Sequence, residues 1–415
     1  MSNTMADGGK HGGEPSDKPW TLPPTPPSPT APAPASTPTG ADVTTAQAGG
    51  HAVLVETLYE HGLLDETWRA VWHAVPREPF IPRQAWRQTP TACEPLKTEA
   101  DRLALIHSDE PVVIQLDDGK PGGPGIATSS NSQPSMVARM LRLLLVEDGH
   151  RVLEIGTATG YVAALLSRRL GDHLVYSVEI DPGLAHHAAA ILRAAGHEPH
   201  LRCTDGEAGW PDQAPFDRII ATCALRTVPH QVVRQLTPGG VLVAPVVRDF
   251  WSGAIVQLTA DGKGAASGRF QSAASYMPMR SHRPPAPAPV DEATARSATA
   301  AVNPRDLLCL GFALYAGTRL PGVRMVHADR DGDAAQVWLQ DYDGCAATAV
   351  TGEDAYEYGA RDLWQEIERV YQEYWTLGSP EAGDFGLTVT ARGQQVWLHD
   401  PERVVEPAPN GPVRP

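Results

Sequence analysis

The chemistry that this sequence can perform is concentrated in a glycine-bearing turn, Leu153–Tyr161 (LEIGTATGY), which follows one apolar run and precedes another. Glycine lets the backbone come close to a bound nucleotide, and the first N–H groups of a helix are free to bind one. Gly156 and Gly160 are therefore predicted to bind a nucleotide-containing cofactor. The same kind of turn also joins strands to helices in proteins that bind no ligand, so the turn alone leaves both interpretations open.

Acidic residues after the next two apolar runs strengthen the cofactor interpretation. Glu179 ends the run VYSVE, where a carboxylate can accept hydrogen bonds from a ribose diol. Asp205 and Gly206 follow the next run, where a polar side chain can meet the exocyclic amine of an adenine. Each acid alone is more typical of a solvated loop. Together they favour a cofactor crevice, because open parallel sheets bind ligands at the carboxyl ends of their strands.

The form of the turn distinguishes between cofactors. It reads E-x-G-x-x-x-G rather than the G-x-G-x-x-G of dinucleotide sites, and no second mononucleotide-binding half is evident. The sequence therefore favours S-adenosyl-L-methionine over NAD. No cluster of histidine and cysteine indicates a metal, so no metal site is predicted.

A predicted helix start lies at Ser132. The serine stands in Ser132-Gln133-Pro134, just before the apolar helical pattern of Met136–Leu145, which is the signature of a helix N-cap. The start of a helix also attracts an anion.

Alternating strands and helices between residues 151 and 258 are expected to position these residues. The predicted strands are Arg151–Ile155, Leu174–Ile180, Asp217–Ala221 and Val241–Val246, and the predicted helices are Tyr161–Arg169, Leu184–Ala195 and Pro229–Leu236. This alternation indicates an α/β fold with a parallel, doubly wound sheet. Upstream, apolar residues at helical spacing predict two short N-terminal helices within Val53–Val75, separated near Gly62.

Composition divides the chain into four parts. Residues 1–50 are rich in proline and threonine and are predicted to be a disordered tail. Residues 51–282 form the cofactor-binding domain, and the proline- and alanine-rich residues 283–302 form a linker. Residues 303–408 are predicted to be a small α+β accessory domain. Its aromatic residues are expected to be mostly core, with a peptide-binding groove as the alternative: Trp364, Tyr371, Tyr374, Trp375 and Trp397.

Charge and cysteine usage exclude several classes of partner. The formal net charge is -15 and there is no long basic run, so neither nucleic acid nor an anionic membrane surface is an expected partner. The five cysteines are widely spaced and include no C-x-x-C, which indicates a reduced protein. No apolar run is long enough to cross a bilayer, and no apolar signal core is present, so a cytoplasmic location is predicted.

The chain resembles the protein-L-isoaspartate O-methyltransferase family in stretches that run in the family's order across residues 53–280. These stretches are Val75–Pro82 (VPREPFIP), Ser130–Met140 (SNSQPSMVARM), Arg151–Leu166 (RVLEIGTATGYVAALL), Thr204–Gly209 (TDGEAG), Pro215–Ile220 (PFDRII) and Gln235–Pro245 (QLTPGGVLVAP). The resemblance implies a Rossmann-like class I methyltransferase fold, S-adenosyl-L-methionine as cofactor, and a carboxylate on a peptide or protein as the methyl acceptor.

The resemblance also implies roles for individual residues. Ser132 matches the serine that meets the substrate carboxylate. The predicted cofactor-binding residues are Glu154, Gly156, Thr157, Gly160, Glu179, Asp205 and Gly206. The predicted substrate-binding residues beside the serine are Ser130, Gln133 and Thr222. Ala158 replaces the family's usual glycine in the first turn, where its methyl group is expected to crowd the cofactor. Arg77 and Glu78, beside Pro76, are expected to face either the substrate or the solvent.

The chain also resembles one subgroup of these methyltransferases. Thr128–Ser135 (TSSNSQPS), Ala221–Pro229 (ATCALRTVP) and the aromatic C-terminal region are similar to methyltransferases encoded with ribosomal peptide maturation systems. ATP-grasp (graspetide) systems are the most similar, followed by lanthipeptide synthetase systems. This implies methylation of an aspartate in a macrocyclised precursor peptide, followed by aspartimide formation. General isoaspartyl repair and, in view of Ala158, a non-catalytic peptide-binding scaffold are the alternatives.

Overall fold

Two helices open the part of the chain that the computed structural model describes, which is residues 40–330 and 334–408. They are α1 (Gly40–Glu60) and α2 (Glu66–Ala74), which confirms the two predicted N-terminal helices. Helix α2 begins where the Asp65 side chain accepts a hydrogen bond from the Trp68 backbone N–H at 2.8 Å. Of the predicted disordered tail, residues 1–39 lie outside the described residues, and residues 40–50 are the start of α1, which is interrupted by the non-helical Gly50 at φ 72°. The disorder of residues 1–50 stays a prediction.

A small antiparallel sheet follows, for which the sequence indicated no strands. Its elements are β1 (Trp86–Gln88), β2 (Cys93–Pro95), α3 (Glu99–Ile106), β3 (Val112–Leu116) and β4 (Ala127–Asn131), with strand order β2-β1-β3-β4. The strands are short and β4 is polar (ATSSN), so they lack the apolar alternation that reveals a half-buried strand. The sheet matters for the site because β4 ends immediately before Ser132.

The central sheet is built by alternating strands and helices. These are α4 (Pro134–Leu144), β5 (Val152–Ile155), α5 (Tyr161–Leu170), β6 (Val175–Glu179), α6 (Pro182–Ala194), β7 (His200–Cys203), β8 (Phe216–Ala221), α7 (His230–Val233), β9 (Leu236–Val246), β10 (Ala254–Ala260) and β11 (Ala266–Ala273). Strands β7-β6-β5-β8-β9 are parallel neighbours in that order, which confirms the doubly wound sheet. The predicted helix Pro229–Leu236 is shorter than expected, because Leu236 already belongs to β9.

Both faces of this sheet are covered. Along β5, Val152 packs with helices α1, α2, α4 and α5, whereas Leu153 and Ile155 pack on the opposite face. Successive strand residues point to opposite faces, so a strand buried on both sides reads as a continuous apolar run. The strand order reverses between β5 and β8, which places a ligand-binding crevice at their carboxyl ends.

The C-terminal region combines a second sheet with two helices and a hairpin. Its elements are β12 (Arg296–Ala298), α8 (Leu310–Arg319), β13 (Arg324–Asp329), β14 (Ala335–Gln340), β15 (Ala346–Val350), β16 (Ala355–Tyr358), α9 (Leu363–Thr376), β17 (Phe385–Thr390) and β18 (Gly393–Leu398). Strands β12-β16-β15-β14-β13 form an antiparallel sheet. The sequence pattern predicts a strand at Ala335–Leu339, a helix at Arg361–Trp375 and a hairpin of Leu387–Thr390 and Val396–Leu398, and all three are present. The aromatic residues are mostly core as expected, except Trp375, which is 64% exposed.

The C-terminal region is joined to the central sheet rather than separated from it. Strand β17 pairs antiparallel with β11, so the hairpin adds two strands to the central sheet. Phe250, after β9, packs edge-on against Phe312 of α8 with ring centroids 6.0 Å apart. Within the predicted linker 283–302, Arg296–Ala298 pairs with β16. The functional division at 283–302 stays a prediction, although the two predicted domains share hydrogen bonds and core.

Candidate active site

The glycine turn lies at the carboxyl end of β5, as the sequence indicated. Gly156 has φ +102°, and a Cβ there would lie 3.0 Å from Thr222 Oγ1, so both the backbone conformation and the space require glycine. Gly160 has φ +81° and would bring a Cβ within 3.0 Å of Leu192 Cδ1. The backbone N–H groups of Gly156 and Thr157 both donate to the Val178 carbonyl oxygen, at 2.9 and 3.2 Å. The turn is thereby fixed to β6.

Glu179 is bound to the same turn. Its Oε2 accepts a hydrogen bond from the Ala158 N–H at 2.9 Å, and its Oε1 accepts one from the Asp181 N–H at 3.0 Å. The residue is only 8% exposed, and this burial raises the pKa of the carboxyl group. Ala158 itself has φ +47°, the left-handed region that disfavours a residue with a Cβ. Each carboxylate oxygen retains acceptor capacity for a diol beside the turn.

Beneath the turn, Glu154 and Thr157 belong to a buried chain of polar side chains. The Thr157 and Ser177 hydroxyl oxygens are 2.6 Å apart, and the Ser177 hydroxyl donates to Glu154 Oε2 at 2.6 Å. Burial raises the pKa of Glu154 to about 8, so the group is largely protonated at neutral pH. Glu154 Oε1 is buried and has no hydrogen-bond partner in the described part of the chain. This oxygen is therefore an unsatisfied polar atom beneath the glycine turn.

Asp205 and Gly206 lie at the carboxyl end of β7. Asp205 Oδ1 accepts a hydrogen bond from the Glu207 N–H at 3.0 Å, which caps a short turn of 3-10 helix. A Cβ on Gly206 would lie only 2.4 Å from Ile155 Cγ2, so glycine allows this turn to pack directly on the end of β5. Asp205 is therefore held close to the glycine turn.

Thr222 follows β8 and supports the glycine turn from the other side. Its hydroxyl donates to the Gly156 carbonyl oxygen at 2.6 Å. A hydroxyl has one proton to donate, so Thr222 has no further proton for a substrate carboxylate. Ser130, another predicted substrate-binding residue, is half-buried on β4 opposite Val113, two positions before Ser132.

Ser132 does not cap α4, so the predicted N-cap role is wrong. The N-cap position is Gln133, whose side chain makes no capping bond and instead donates to Asp109 Oδ2 at 3.1 Å. Asp109 Oδ1 accepts from the Ser135 N–H at 2.7 Å and satisfies the helix start in place of the serine. The Ser132 residue is half-buried, and its side chain lies beside the Tyr276 hydroxyl.

Arg77 holds the backbone of Ser132, contrary to the expectation that it faces substrate or solvent. The side chain is fully buried, and its Nη2 donates to the carbonyl oxygens of Asn131 and Ser132 at 3.2 and 3.1 Å. Its Nε donates to Asn131 Oδ1 at 2.6 Å. The other carbonyl acceptors of the guanidinium are Ile106, Ser108 and Glu110. Burial lowers the pKa of Arg77 to about 10, which still leaves it charged at neutral pH.

Asn131 connects the serine to the glycine turn. Its Nδ2 donates to Thr159 Oγ1 at 2.8 Å, and both side chains are buried. The predicted substrate residue Ser132 is thereby linked through its neighbour to the turn between Gly156 and Gly160. Sequence reasoning assigned no buried role to Arg77 and did not single out Asn131, although a signal for Arg77 was present in its place between the apolar residues Val75 and Phe80.

The described residues contain neither a metal site nor a membrane-spanning helix. Over residues 40–330 and 334–408, no group of three or more histidine, cysteine, aspartate or glutamate side chains is placed to hold a metal ion. No helix in the same ranges is both long and apolar enough to cross a membrane.

Comparison with known proteins places the fold and the site in one family. The family model for protein-L-isoaspartate(D-aspartate) O-methyltransferases matches residues 50–283. The chain belongs to this family. A protein-L-isoaspartate O-methyltransferase of Anaeromyxobacter dehalogenans strain 2CP-1 is 45% identical over 148 residues, which are 35% of this chain and 68% of that protein. Protein-L-isoaspartate O-methyltransferase 2 of Polaromonas sp. strain JS666 is 32% identical over 235 residues, 56% of this chain and 97% of that protein.

A solved protein-L-isoaspartate O-methyltransferase shares the fold, with a TM-score of 0.50 and 20% identity over 84% of this chain and all of that one. Family membership makes the chain a carboxyl O-methyltransferase that acts on peptides or proteins, with S-adenosyl-L-methionine as its cofactor. It also argues against the non-catalytic scaffold. The residues fit the cofactor, because the Glu179 carboxylate offers acceptors at the glycine turn and the buried Glu154 Oε1 beneath it has no hydrogen-bond partner within the described residues.

Proposed function

We propose that this enzyme methylates the free carboxylate of L-isoaspartyl residues in peptides and proteins, the first step of their repair. The observation that carries the proposal is the link between Ser132 and the glycine turn: Asn131, the residue before the serine, donates to Thr159 Oγ1 at 2.8 Å. A donor for the substrate carboxylate is thus tied to the cofactor side of the crevice. The names of the relatives support isoaspartyl residues as the substrate class.

The cofactor side of the proposal assigns one task to each strand end. The Glu179 carboxylate accepts from the ribose hydroxyls, and Asp205 meets the adenine amine. The backbone from Gly156 to Gly160, including Thr157, lies along the cofactor, and Gly206 allows the close approach of the β7 turn. Glu154 Oε1 is a further buried polar atom beneath the turn that has no hydrogen-bond partner within the described residues.

The substrate side needs positioning rather than a base. A carboxylate is already ionised at neutral pH. When bound, S-adenosyl-L-methionine supplies a methyl group on a positively charged sulfur. A carboxylate oxygen can attack this methyl group, and the sulfur then leaves as a neutral thioether. Ser132 donates its proton to one carboxylate oxygen and so directs the other, while Ser130 and Gln133 border the same position. Holding the reacting groups in line and excluding water is the main contribution that the protein makes.

A second candidate function is tailoring of a ribosomally made precursor peptide. The observation that favours it is the contact between residues beyond 283 and the part of the chain before them: Tyr342 donates to Asp249, and Gln394 Oε1 accepts from the Val228 N–H at 3.0 Å. C-terminal residues thus contact the segments that follow β8 and β9 in the chain. In this proposal, residues 303–408 form an accessory domain that binds a macrocyclised precursor from an ATP-grasp ligase or lanthipeptide synthetase pathway.

The tailoring chemistry would start from the same ester. After methylation of an aspartate side chain, the backbone nitrogen of the next residue attacks the ester carbon and loses its proton. Methanol leaves, and a five-membered aspartimide ring forms. Proximity in a constrained peptide accelerates this step.

The test compares substrates with the full-length enzyme. A synthetic peptide with one L-isoaspartyl residue and the matched L-aspartyl peptide are incubated with S-adenosyl-L-methionine, and mass spectrometry follows the gain of a methyl group. The repair proposal expects methylation of the isoaspartyl peptide alone, with a large loss in Ser132→Ala. Methylation of neither peptide, together with methylation and methanol loss in a macrocyclised Asp-containing precursor, would establish tailoring instead.

A further inference from the structure

A second hydroxyl borders the position of Ser132, on the segment that follows β11. This segment is fixed by backbone hydrogen bonds on both sides of Tyr276: the Ala224 N–H donates to the Met277 carbonyl oxygen, and the Met279 N–H donates to the Ala224 carbonyl oxygen, both at 2.9 Å. Ala224 lies shortly after the carboxyl end of β8. Tyr276 therefore sits on a fixed backbone at the same edge of the sheet as the cofactor turn.

The ring of Tyr276 is well packed, but its hydroxyl has no partner. The ring packs against the apolar cluster beneath α4 and α5. The Oη atom is buried and makes no hydrogen bond of standard geometry in the described ranges. Burial raises the pKa of the phenol well above its ordinary value, and the nearby Ser132 side chain opposes this shift. The two hydroxyls are thus neighbours, although their contact falls short of a standard hydrogen bond.

A buried hydroxyl without a partner contributes nothing to folding that phenylalanine would not also contribute, because it loses its hydrogen bonds to water without replacing them. The Ser132 side chain beside it belongs to the residue proposed to hold the substrate. Hydrogen bonds in a resting active site are often long and shorten when the site is loaded. The placement therefore points to a bond that forms during the reaction.

We propose that Tyr276 is a positioning residue that donates its phenolic proton to Ser132 Oγ and so leaves the serine proton directed at the substrate carboxylate. A serine hydroxyl has one proton and two lone pairs, so an incoming donor on one lone pair fixes the direction of its own O–H. Tyr276 acts through the serine, because its buried oxygen is not accessible to the carboxylate. The inference rests on the proposed role of Ser132.

The test is a double-mutant cycle in the full-length enzyme with the variants Tyr276→Phe, Ser132→Ala and the combination of both. For a synthetic L-isoaspartyl peptide, Tyr276→Phe is expected to lower kcat/KM by about tenfold, the loss of one modest hydrogen bond. In the Ser132→Ala background it should lower kcat/KM no further, because there is no serine hydroxyl to orient. Calorimetry should give an unchanged affinity for S-adenosylhomocysteine, and Tm should be unchanged or higher.

Tyr315→Phe is the matched control. The Tyr315 hydroxyl donates to Glu373 Oε2 at 3.1 Å in the C-terminal region, so its removal should leave kcat/KM unchanged. Calorimetric titration of the peptide with the S-adenosylhomocysteine complex provides a readout besides turnover, and Tyr276→Phe should weaken this binding whereas Tyr315→Phe should not.

Each of the other outcomes of the double-mutant cycle leads to a single conclusion. Full kcat/KM in Tyr276→Phe, with a large loss in Ser132→Ala, overturns this inference and leaves the proposed function in place. Full kcat/KM in both single variants contradicts the proposed site itself. A tenfold loss that persists in the Ser132→Ala background, or that comes with a lower Tm or weaker S-adenosylhomocysteine binding, shows a structural role for Tyr276 and also overturns the inference.

Discussion

Arg77 Nη2 donates to the carbonyl oxygen of Ser132 at 3.1 Å, across 55 positions of sequence and from a side chain that is fully buried. The guanidinium has no carboxylate partner in this arrangement and is satisfied by carbonyl oxygens and one side-chain amide. Burying a charge is costly unless its hydrogen bonds are made, and this network makes them. The loop that carries the candidate substrate residue is therefore as firmly fixed as a core element.

Arg77→Lys is expected to destabilise the protein by about 2–3 kcal/mol, because an ammonium group has three donors and cannot match the planar fork of the guanidinium. Urea denaturation monitored by circular dichroism measures the free energy of unfolding. Arg69→Lys is the control, since Arg69 is partly exposed in its pair with Glu56 and its replacement should leave the free energy of unfolding nearly unchanged. Equal stability of the two variants would show that the network around Arg77 is dispensable.

Glu154→Gln is expected to change how stability depends on pH. The pKa of Glu154 is raised from 4.5 to about 8 in the folded protein. Between those values the unfolded chain loses the proton first, so the stability that this group contributes is present below pH 4.5 and is lost as pH rises towards 8. Relative to the variant, the wild type should lose on the order of a few kcal/mol across this window.

Denaturant titrations at several pH values across that window measure the difference for Glu154→Gln. The exposed residue Glu402 provides the control Glu402→Gln, which should follow the wild type at every pH. A constant offset between Glu154→Gln and the wild type would contradict a raised carboxyl pKa.

Ala158→Gly tests the strained position in the glycine turn. At φ +47°, alanine is disfavoured by roughly 1 kcal/mol relative to the ordinary helical region, whereas glycine is not. The variant should therefore be at least as stable as the wild type, and its affinity for S-adenosylhomocysteine should rise if the methyl group crowds the cofactor. Thermal denaturation and calorimetry measure the two effects. Ala164→Gly, within α5, should instead destabilise by about 1 kcal/mol; similar losses in both variants would rule out strain at Ala158.

Gly317→Ala tests the packing of the C-terminal region on the central sheet. A Cβ on Gly317 would lie 2.3 Å from Trp251 Cζ3, so the added methyl group is expected to force α8 away and to cost about 1–3 kcal/mol. Gly383→Ala is the matched control, because nothing lies within 4 Å of a Cβ at that position. Thermal denaturation compares the two, and an unchanged Tm in Gly317→Ala would mean that α8 does not pack against Trp251 in solution.

The parts of the fold that are set by residues close together in the chain could be predicted from the sequence pattern. Apolar runs identified the parallel strands, and the glycine spacing identified the turn after β5. Glu179 and Asp205 follow strands, and carboxyl ends of parallel strands share one edge, so their convergence was also predictable. The strands β10 and β11 and the small sheet before Ser132 were missed, because short or polar strands carry little periodic signal.

The sequence by itself determined the family, the doubly wound sheet and the cofactor turn, because each is encoded by residues close together in the chain. Only the tertiary structure decided how Ser132 is held: Arg77 reaches Asn131 across 54 positions, and Asn131 reaches Thr159 across 28. It also brought the Tyr276 phenol beside the serine and paired β17 with β11. Such contacts depend on which surfaces pack together, and a hydrogen bond between distant residues leaves no periodic trace in either segment.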